Sequence, residues 1–263
     1  NDEKSVTASS EFSRRLSERS TGGLNVSRSW SDENGSDLTI DSAQLVYSLQ
    51  LESGDFSIGG GGSRADTEYT SGVTNEYEAT TGFVERSWFT SDWRTAVKLD
   101  RRMSDSATDL SLNLPPISPF LPESEELRDL AIIDSLLFTH NNQLVCDACN
   151  LGVYAEGSIL DSQISGATTH EYRTGITLGF QLTSLQRLSF AYSWEGDAGE
   201  DANVIDDQIH RFNTSWTREL AENTTFGVQF NQSYLRSRLA SDDQDQFELR
   251  FVLTRGFAMS ALR

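Results

Sequence analysis

The segment His170–Leu182, with the sequence HEYRTGITLGFQL, alternates between two kinds of side chain. Successive side chains of a β-strand point to opposite faces, so residues two apart share one face. The segment therefore predicts a strand with an apolar face and a polar face. The apolar face carries Tyr172, Thr174, Ile176, Leu178, Phe180 and Leu182, and the polar face carries Glu171, Arg173, Gly175, Thr177, Gly179 and Gln181.

The same alternation recurs in Leu188–Trp194, Phe226–Tyr234 and Phe247–Leu253. A soluble antiparallel sheet also alternates, so the composition has to decide between the two environments. Only 37% of the residues are hydrophobic and the mean hydropathy is -0.45, which is low for a 263-residue soluble domain with a large core. A barrel in lipid instead places apolar residues outside and polar residues inside. We therefore predict a transmembrane β-barrel, with a soluble β-sandwich or a repeat-like adhesin as the alternative.

A membrane strand with its share of turn and loop takes about 20 to 25 residues. The 263 residues therefore predict a single all-β domain over residues 1–263. We expect an antiparallel up-and-down barrel of about 12 strands, within a range of about 12 to 14. The connections are expected to alternate between short turns and long, acidic outer loops. The candidate strands are Val6–Leu16, Gly23–Trp30, Ala43–Leu51, Phe56–Gly62, Tyr77–Phe89, Trp93–Met103, Leu151–Ser158, His170–Leu182, Leu188–Trp194, Gln208–Trp216, Thr225–Arg236 and Gln246–Phe257. The expected long loops surround Asp32–Asp37, Arg64–Asn75, Asp161–Thr169, Gly196–Asp207 and Ser237–Asp245.

Residues 104–150 interrupt this rhythm, and we interpret them as a long loop or a plug-like insertion. All four prolines of the chain lie here, and proline at this density excludes a central strand. The acidic start of Ser124–Ile133 and the helical spacing of Leu127, Leu130, Ile133 and Leu137 predict a short helix. An alternative interpretation makes Leu130–His140 a thirteenth strand, which changes the side of the membrane on which the chain starts.

The two cysteines, Cys146 and Cys149, are separated by two residues. With no cluster of Cys or His around them, a zinc site is not expected, and the chain lacks the βαβ setting of a thioredoxin-like motif. We predict a small disulfide in an oxidising compartment, with a free dithiol that docks a redox partner as the alternative.

The formal net charge is -19, and acidic residues crowd the expected loops. This charge excludes nucleic acid as a partner. We expect contact with outer-membrane lipid and with lipopolysaccharide, whose phosphates divalent cations can bridge to the acidic loops. Small anionic solutes and a periplasmic or surface protein are the other candidate partners.

The strand residues that we expect to face the barrel interior include several basic side chains. They predict either a basic pore lining or a network of ion pairs that fills the barrel. A basic lining would favour anionic solutes such as acidic oligosaccharides, because arginine binds carboxylates in a bidentate manner. The predicted pore-lining residues are Arg86, Arg94, Lys98, Arg173, Arg187, Arg211 and Arg250, partly balanced by Glu78, Asp100, Glu171, Glu195 and Glu248.

Aromatic residues near the strand ends predict girdles at the two membrane interfaces. The final strand, Phe247 to Phe257, resembles the last strand of Gram-negative outer-membrane β-barrel proteins of the porin-like class, with alternating apolar residues and a late aromatic. This resemblance implies export to a bacterial outer membrane. Six residues follow the aromatic, where such proteins commonly end. The sequence shows no secretory signal at Asn1 and no apolar helix long enough to span a bilayer, as expected of a processed chain.

No enzymatic activity, cofactor or metal centre is predicted, because no catalytic motif or metal-ligand spacing is present. The one candidate for an outer-membrane hydrolase is His210 beside Asp206 and Asp207. Three functions compete: a pore, a barrel that anchors or exports a partner in a secretion, polysaccharide-export or electron-conduit complex, and a sealed structural or adhesin barrel.

Overall fold

A computed structural model of the chain describes residues 4–33, 36–69, 74–105, 130–143, 148–199, 202, 204–221, 223–238 and 243–255. These residues form one sheet of 13 strands, in which each strand pairs antiparallel with the next one along the chain. The strands are β1 (Lys4–Arg15), β2 (Ser20–Glu33), β3 (Ser36–Leu51), β4 (Gly54–Tyr69), β5 (Thr74–Phe89), β6 (Trp93–Asp105), β7 (Leu130–Asn142), β8 (Cys149–Ser162), β9 (Thr168–Thr183), β10 (Gln186–Ala198), β11 (Asp207–Ala221), β12 (Thr224–Ser237) and β13 (Gln244–Arg255).

This arrangement confirms the predicted all-β, up-and-down antiparallel fold, and 13 strands fall within the expected range. All twelve candidate strands are present, and most extend beyond the residues that the sequence assigned to them. Within the described residues β1 and β13 each pair with one neighbour, so they form the two edges of the sheet. No helix in this part of the chain is long and apolar enough to cross a membrane.

The connections lie at two opposite ends of the sheet. At one, which we call the short-turn end, strands are joined by residues 16–19, 52–53, 90–92, 143–148, 184–185 and 222–223. At the other, the long-loop end, they are joined by residues 34–35, 70–73, 106–129, 163–167, 199–206 and 238–243. Two expected long loops are therefore short, because β2 to β5 continue into polar residues. Asp32 pairs with Asp37, and Arg64–Tyr69 belongs to β4.

The predicted insertion over residues 104–150 is wrong over much of its length. Residues 104–105 end β6 and residues 149–150 begin β8, while Leu130–Asn142 forms β7, which pairs with both. The predicted helix is therefore wrong from Leu130 onward, and the thirteenth-strand interpretation is confirmed. Leu130, Ala131 and Ile133 are buried, which explains why this strand lacks the alternation used to find the others. Residues 106–129, which hold the four prolines and the start of the predicted helix, lie outside the described residues.

Large apolar side chains are exposed on one face of the sheet from β1 to β13. Ile176 lies beside Tyr192, which lies beside Phe212, and directly opposed residues of antiparallel strands share a face. We call this the outer face. Following the register across the sheet, it also carries Val6, Phe12, Leu24, Leu45, Tyr47, Ile58, Val84, Leu99, Leu136, Phe138, Ile159, Phe190, Phe230, Phe247, Leu249, Phe251 and Leu253, all exposed. An exposed apolar band of this extent is typical of contact with lipid.

Aromatic side chains and ion pairs border this band on the outer face. Trp30, Tyr172 and Tyr234 lie toward the long-loop end, while Trp88 and Trp93 lie at the short-turn end. Arg28, which departs from the apolar phase of β2, forms an ion pair with Asp41 and lies 5.6 Å from the centroid of the Trp30 ring. The arrangement matches two interfacial girdles.

Adjacent positions of the run Gly59–Gly62 in β4 lie in different surroundings on the two faces of the sheet. A Cβ atom on Gly61 would lie 1.9 Å from the backbone oxygen of Ala43 in β3, so the inner face has no room there. A Cβ atom on Gly60, on the outer face, would meet nothing within 4 Å. The glycine at position 61 thus permits a close approach of two strands.

We expect Gly61→Ala to destabilise the folded protein by about 2 kcal/mol or more, because β3 and β4 would have to move apart. Gly60→Ala is the matched control, and it should be neutral or stabilising by up to about 1 kcal/mol through lower unfolded-chain entropy. Urea unfolding in lipid vesicles measures both variants. Equal losses for the two would show that the close approach at Gly61 is wrong.

The two faces of β12 give a second test. Phe230→Arg places a charge on the lipid side of the strand and should cost about 2 to 4 kcal/mol near the bilayer midplane. Gln229→Arg, one residue away on the opposite face, should cost less than about 1 kcal/mol. The same unfolding measurement would contradict the face assignment if Gln229→Arg were the more damaging change.

Candidate functional site: the inner face of the sheet

The face opposite the apolar band, which we call the inner face, carries the densest groups of charged residues in β6 to β13. Arg173 in β9 is the centre of its densest group. Its guanidinium lies 2.8 Å from Glu171 Oε2, 3.2 Å from Glu195 Oε1 and 3.9 Å from Glu156 Oε2. The Arg173 side chain is 11% exposed, and the three carboxylates are 13% to 18% exposed. One arginine thus bridges carboxylates from three adjacent strands.

Arg211 extends this group, because its Nη1 lies 2.6 Å from Glu195 Oε2. A second series of side chains, joined by hydrogen bonds and an ion pair, crosses β11 to β13. Asn213 donates to Asn231, Asn231 donates to Glu248 at 3.1 Å, and Arg250 lies 3.0 Å from Glu248. We call the residues Glu156, Glu171, Arg173, Glu195 and Arg211 the β8–β11 network. In it the predicted basic residues are bound by carboxylates, as the ion-pair alternative expected.

The β6 strand holds another charged group. Asp100 lies 3.1 Å from Lys98 Nζ and 2.7 Å from Arg102 Nη1, and Lys98 also lies 5.5 Å from the centroid of the Phe83 ring. Arg102 belongs to the inner face and was missed in the sequence. The two adjacent arginines, Arg101 and Arg102, point to opposite faces, and only the register with β7 assigns each one: Arg101 pairs with Asp134 on the outer face.

Arg94 and Arg187 differ from the other inner-face arginines. Both are exposed at the short-turn end, and no hydrogen bond or ion pair joins either side chain to another residue within the described segments. Arg94 lines a recess of about 380 Å³ together with Arg15, Glu18, Arg19, Asp55 and Glu85. These two arginines therefore offer guanidinium groups that a solute can reach.

Two residues assigned to the inner face in the sequence lie on the outer face. Arg86 is directly opposed to Phe56 and Val97, and its guanidinium lies 5.0 Å from the centroid of the Trp88 ring. It donates to the backbone oxygens of Asp55 and Ser87, at 3.0 and 2.9 Å. Glu78 is opposed to Arg64 on the same face. The prediction that Arg86 lines the pore is therefore wrong. Adjacent residues of β5 are both apolar, so the sequence does not show which of its residues face outward.

The middle of the inner face of β3 to β5 carries no charge and is lined by small polar side chains, whereas Leu38, Ile40 and Ala65 form a buried apolar cluster toward the long-loop end. The hydroxyl oxygens of Ser42 and Ser63 lie 2.6 Å apart, and those of Ser48 and Ser57 lie 3.0 Å apart. Gln44 donates to Thr81 at 3.0 Å. Sequence reasoning missed this uncharged wall, although the alternation of Ser and Gly with larger residues in β3 and β4 carries the signal.

The remaining predicted residues lie elsewhere. Cys149 is the first residue of β8, whereas Cys146 lies outside the described residues, so the disulfide between them stays a prediction. His210 is on the outer face, where its Nδ1 lies 2.9 Å from the hydroxyl of Tyr192. Asp206 instead binds Gly199 and Arg238. Among the described residues no three His, Cys, Asp or Glu side chains are grouped to hold a metal ion.

Removing the positive centre of the β8–β11 network should be costly. Arg173→Met leaves three poorly exposed carboxylates without their shared partner and should destabilise the barrel by about 3 kcal/mol. Arg236→Met is the matched control, since its ion pair with Asp245 is 38% and 61% exposed and should contribute less than about 1 kcal/mol. Urea unfolding in vesicles compares them. Adding Glu156→Gln to Arg173→Met should restore part of the loss, and no recovery would contradict the network.

Comparison with known proteins gives relationships in structure but none in sequence. No protein-family profile matches this chain, and no curated protein sequence matches it. The ferric enterobactin receptor of Pseudomonas aeruginosa (G324V mutant) has a TM-score of 0.55 and 9% identity, covering 89% of this chain and 43% of the receptor. The siderophore receptor PirA of Acinetobacter baumannii has a TM-score of 0.53 and 9% identity, covering 95% of this chain and 48% of PirA.

For an anion-selective porin of Comamonas acidovorans, the match covers 97% of this chain and 100% of the porin, at 7% identity and a TM-score of 0.43. The chain spans less than half the length of the two receptors. At these identities the likeness concerns the fold alone. This likeness agrees with the placement of apolar side chains on the outer face and charged side chains on the inner face. The chain has the fold of bacterial outer-membrane β-barrel proteins.

Proposed function

We propose that this protein resides in a bacterial outer membrane and forms a channel for small solutes. The observation that carries this proposal is the division of the sheet into an outer face that exposes apolar side chains on all 13 strands and an inner face that carries the charged groups of β6 and of β8 to β13 and the small polar side chains of β3 to β5. In lipid, the apolar face contacts acyl chains, and the inner face then encloses a polar interior. Lipid and lipopolysaccharide would contact the outer face.

The distribution of charge suggests which part of the interior would select solutes. Most inner-face basic residues are bound: Arg173 and Arg211 by glutamates, and Lys98 and Arg102 by Asp100. Bound arginines keep little capacity for a passing anion, because their donors are occupied. Arg94 and Arg187 remain accessible at the short-turn end. A preference for anionic solutes, such as acidic oligosaccharides, would depend on these two residues.

A sealed structural barrel is the second candidate function. The β8–β11 network favours it, because ion pairs across β8, β9, β10 and β11 hold side chains over the inner wall at low exposure. Conductance separates the two functions, since a sealed barrel folds but passes no ions.

The test is single-channel recording of the refolded protein in a planar bilayer, with a salt gradient to read ion selectivity. Each exposed charge about 10 Å from a passing ion contributes roughly 0.4 kcal/mol in water. We therefore expect Arg94→Ser combined with Arg187→Ser to lower the anion-to-cation permeability ratio about two- to fourfold, after screening by salt.

Arg86→Ser is the matched control, because it removes an arginine near the same end of the sheet from the outer face. It should leave the permeability ratio unchanged. An unchanged ratio in the double variant would exclude Arg94 and Arg187 as the selective residues. A folded protein without openings would overturn the channel and favour the sealed barrel.

A further inference from the structure

The recess beside Arg94 opens on the inner face at the short-turn end and is lined by residues from β1 to β6. Its volume of about 380 Å³ lies in the lower part of the range of small-molecule sites. The lining is mostly polar. The charged residues of the recess are Arg15, Glu18, Arg19, Asp55, Glu85 and Arg94.

Two carboxylates of the recess lack a positive partner among the described residues. Asp55 and Glu85 are half-buried, and neither carboxylate forms an ion pair or a hydrogen bond in that part of the chain. Lys98 is directly opposed to Glu85, but its Nζ lies 3.1 Å from Asp100 instead. A carboxylate that is partly removed from water gains stability from a cation beside it. Asp55 and Glu85 can therefore receive the positive group of a solute.

Two guanidinium groups of the same recess are also available. Arg19 and Arg94 are exposed, and neither side chain donates to another residue within the described segments. Arg15 differs from them, because it donates to the backbone oxygens of Ser17 and Glu18 at 3.0 and 2.8 Å. The planar fork of a free guanidinium binds a carboxylate in a bidentate manner. Arg19 and Arg94 can therefore receive the negative group of a solute.

The formal charges of the recess balance, since three arginines and three acidic residues line it. A solute with a single charge would meet like charges as well as opposite ones, and like charges across an interface reject a partner. The acidic residues are not arranged for a metal ion either, because no three His, Cys, Asp or Glu side chains are grouped in that way among the described residues. A solute with one charge of each sign has a partner for both.

We propose that this recess binds a small zwitterionic solute of the class of amino acids and short peptides. The ammonium group lies against Asp55 and Glu85, and the carboxylate lies against Arg19 and Arg94. Gln50 lines the same recess, and its side-chain amide can donate to and accept from a peptide bond. The proposal rests on the proposed function, which exposes the inner face to an aqueous interior and its solutes.

Isothermal titration calorimetry of the full chain, refolded in detergent micelles, tests the site with three probes. Diglycine carries both charges, N-acetylglycine carries only the negative one and glycinamide only the positive one. Glu85→Gln removes a carboxylate of the recess, and its matched control is Glu52→Gln in the β3–β4 turn at the same end. Arg94→Ser removes a guanidinium, and its matched control is Arg14→Ser, which changes an exposed arginine of the outer face.

We expect diglycine to bind about tenfold more tightly than either probe with a single charge. Glu85→Gln should weaken the binding of diglycine about fivefold without weakening that of N-acetylglycine, whereas Arg94→Ser should weaken both about fivefold. The two control variants should bind all probes as the unaltered protein does. A purely structural effect would instead change the binding of every probe alike.

Three results would overturn the proposal. N-acetylglycine binding as tightly as diglycine would make the recess an anion site, and diglycine binding that neither Glu85→Gln nor Arg94→Ser alters would place the solute elsewhere. A folded protein that binds none of the probes would exclude the site. Calorimetry does not depend on ion flow, so conductance of the same preparation separates failure of the site from failure of the proposed channel.

Discussion

Backbone hydrogen bonding in the absence of water is the constraint on which the other features of this protein depend. Inside a bilayer the N–H and C=O groups of each strand have only neighbouring strands as partners. The described chain meets this requirement with long antiparallel strands, each beside its sequence neighbour. Because the backbone needs are met by the ladder, side chains are free to follow their surroundings, apolar toward lipid and polar toward the interior.

That division changes the meaning of a charged residue. On the outer face the ion pairs are exposed, as Arg28 with Asp41 at 51% and 37% and Arg236 with Asp245 at 38% and 61%. On the inner face, charges lie in the middle of the strands and pair across them, as Arg173 does with Glu195. The charged side chains around Arg173 thus have protein partners at short range, whereas Arg94, near the short-turn end, is exposed and accessible to solutes.

The strand pattern of the second half, from β8 to β13, could be predicted because its apolar residues are separated by polar ones. Prediction failed where that separation is lost. Leu130–Asn142 contains apolar residues in both phases, so spacing alone fits a helix and a strand equally well. Phe83 and Val84 in β5 are adjacent and apolar, which concealed the phase of the strand and led to the wrong face for Arg86. At the long-loop end, polar strand extensions such as Arg64–Tyr69 have no apolar signal and were interpreted as loop.

The sequence by itself determined the class of fold, the orientation of most strands' faces and the position of most inner-face arginines, because alternation with period two is a local property of the chain. Only the tertiary structure decided which of those arginines are bound. The partners of Arg173 come from β8 and β10 as well as from its own strand, and the register between strands brings them within hydrogen-bond distance. Register depends on contacts between residues far apart in the sequence, so a single sequence cannot reveal it.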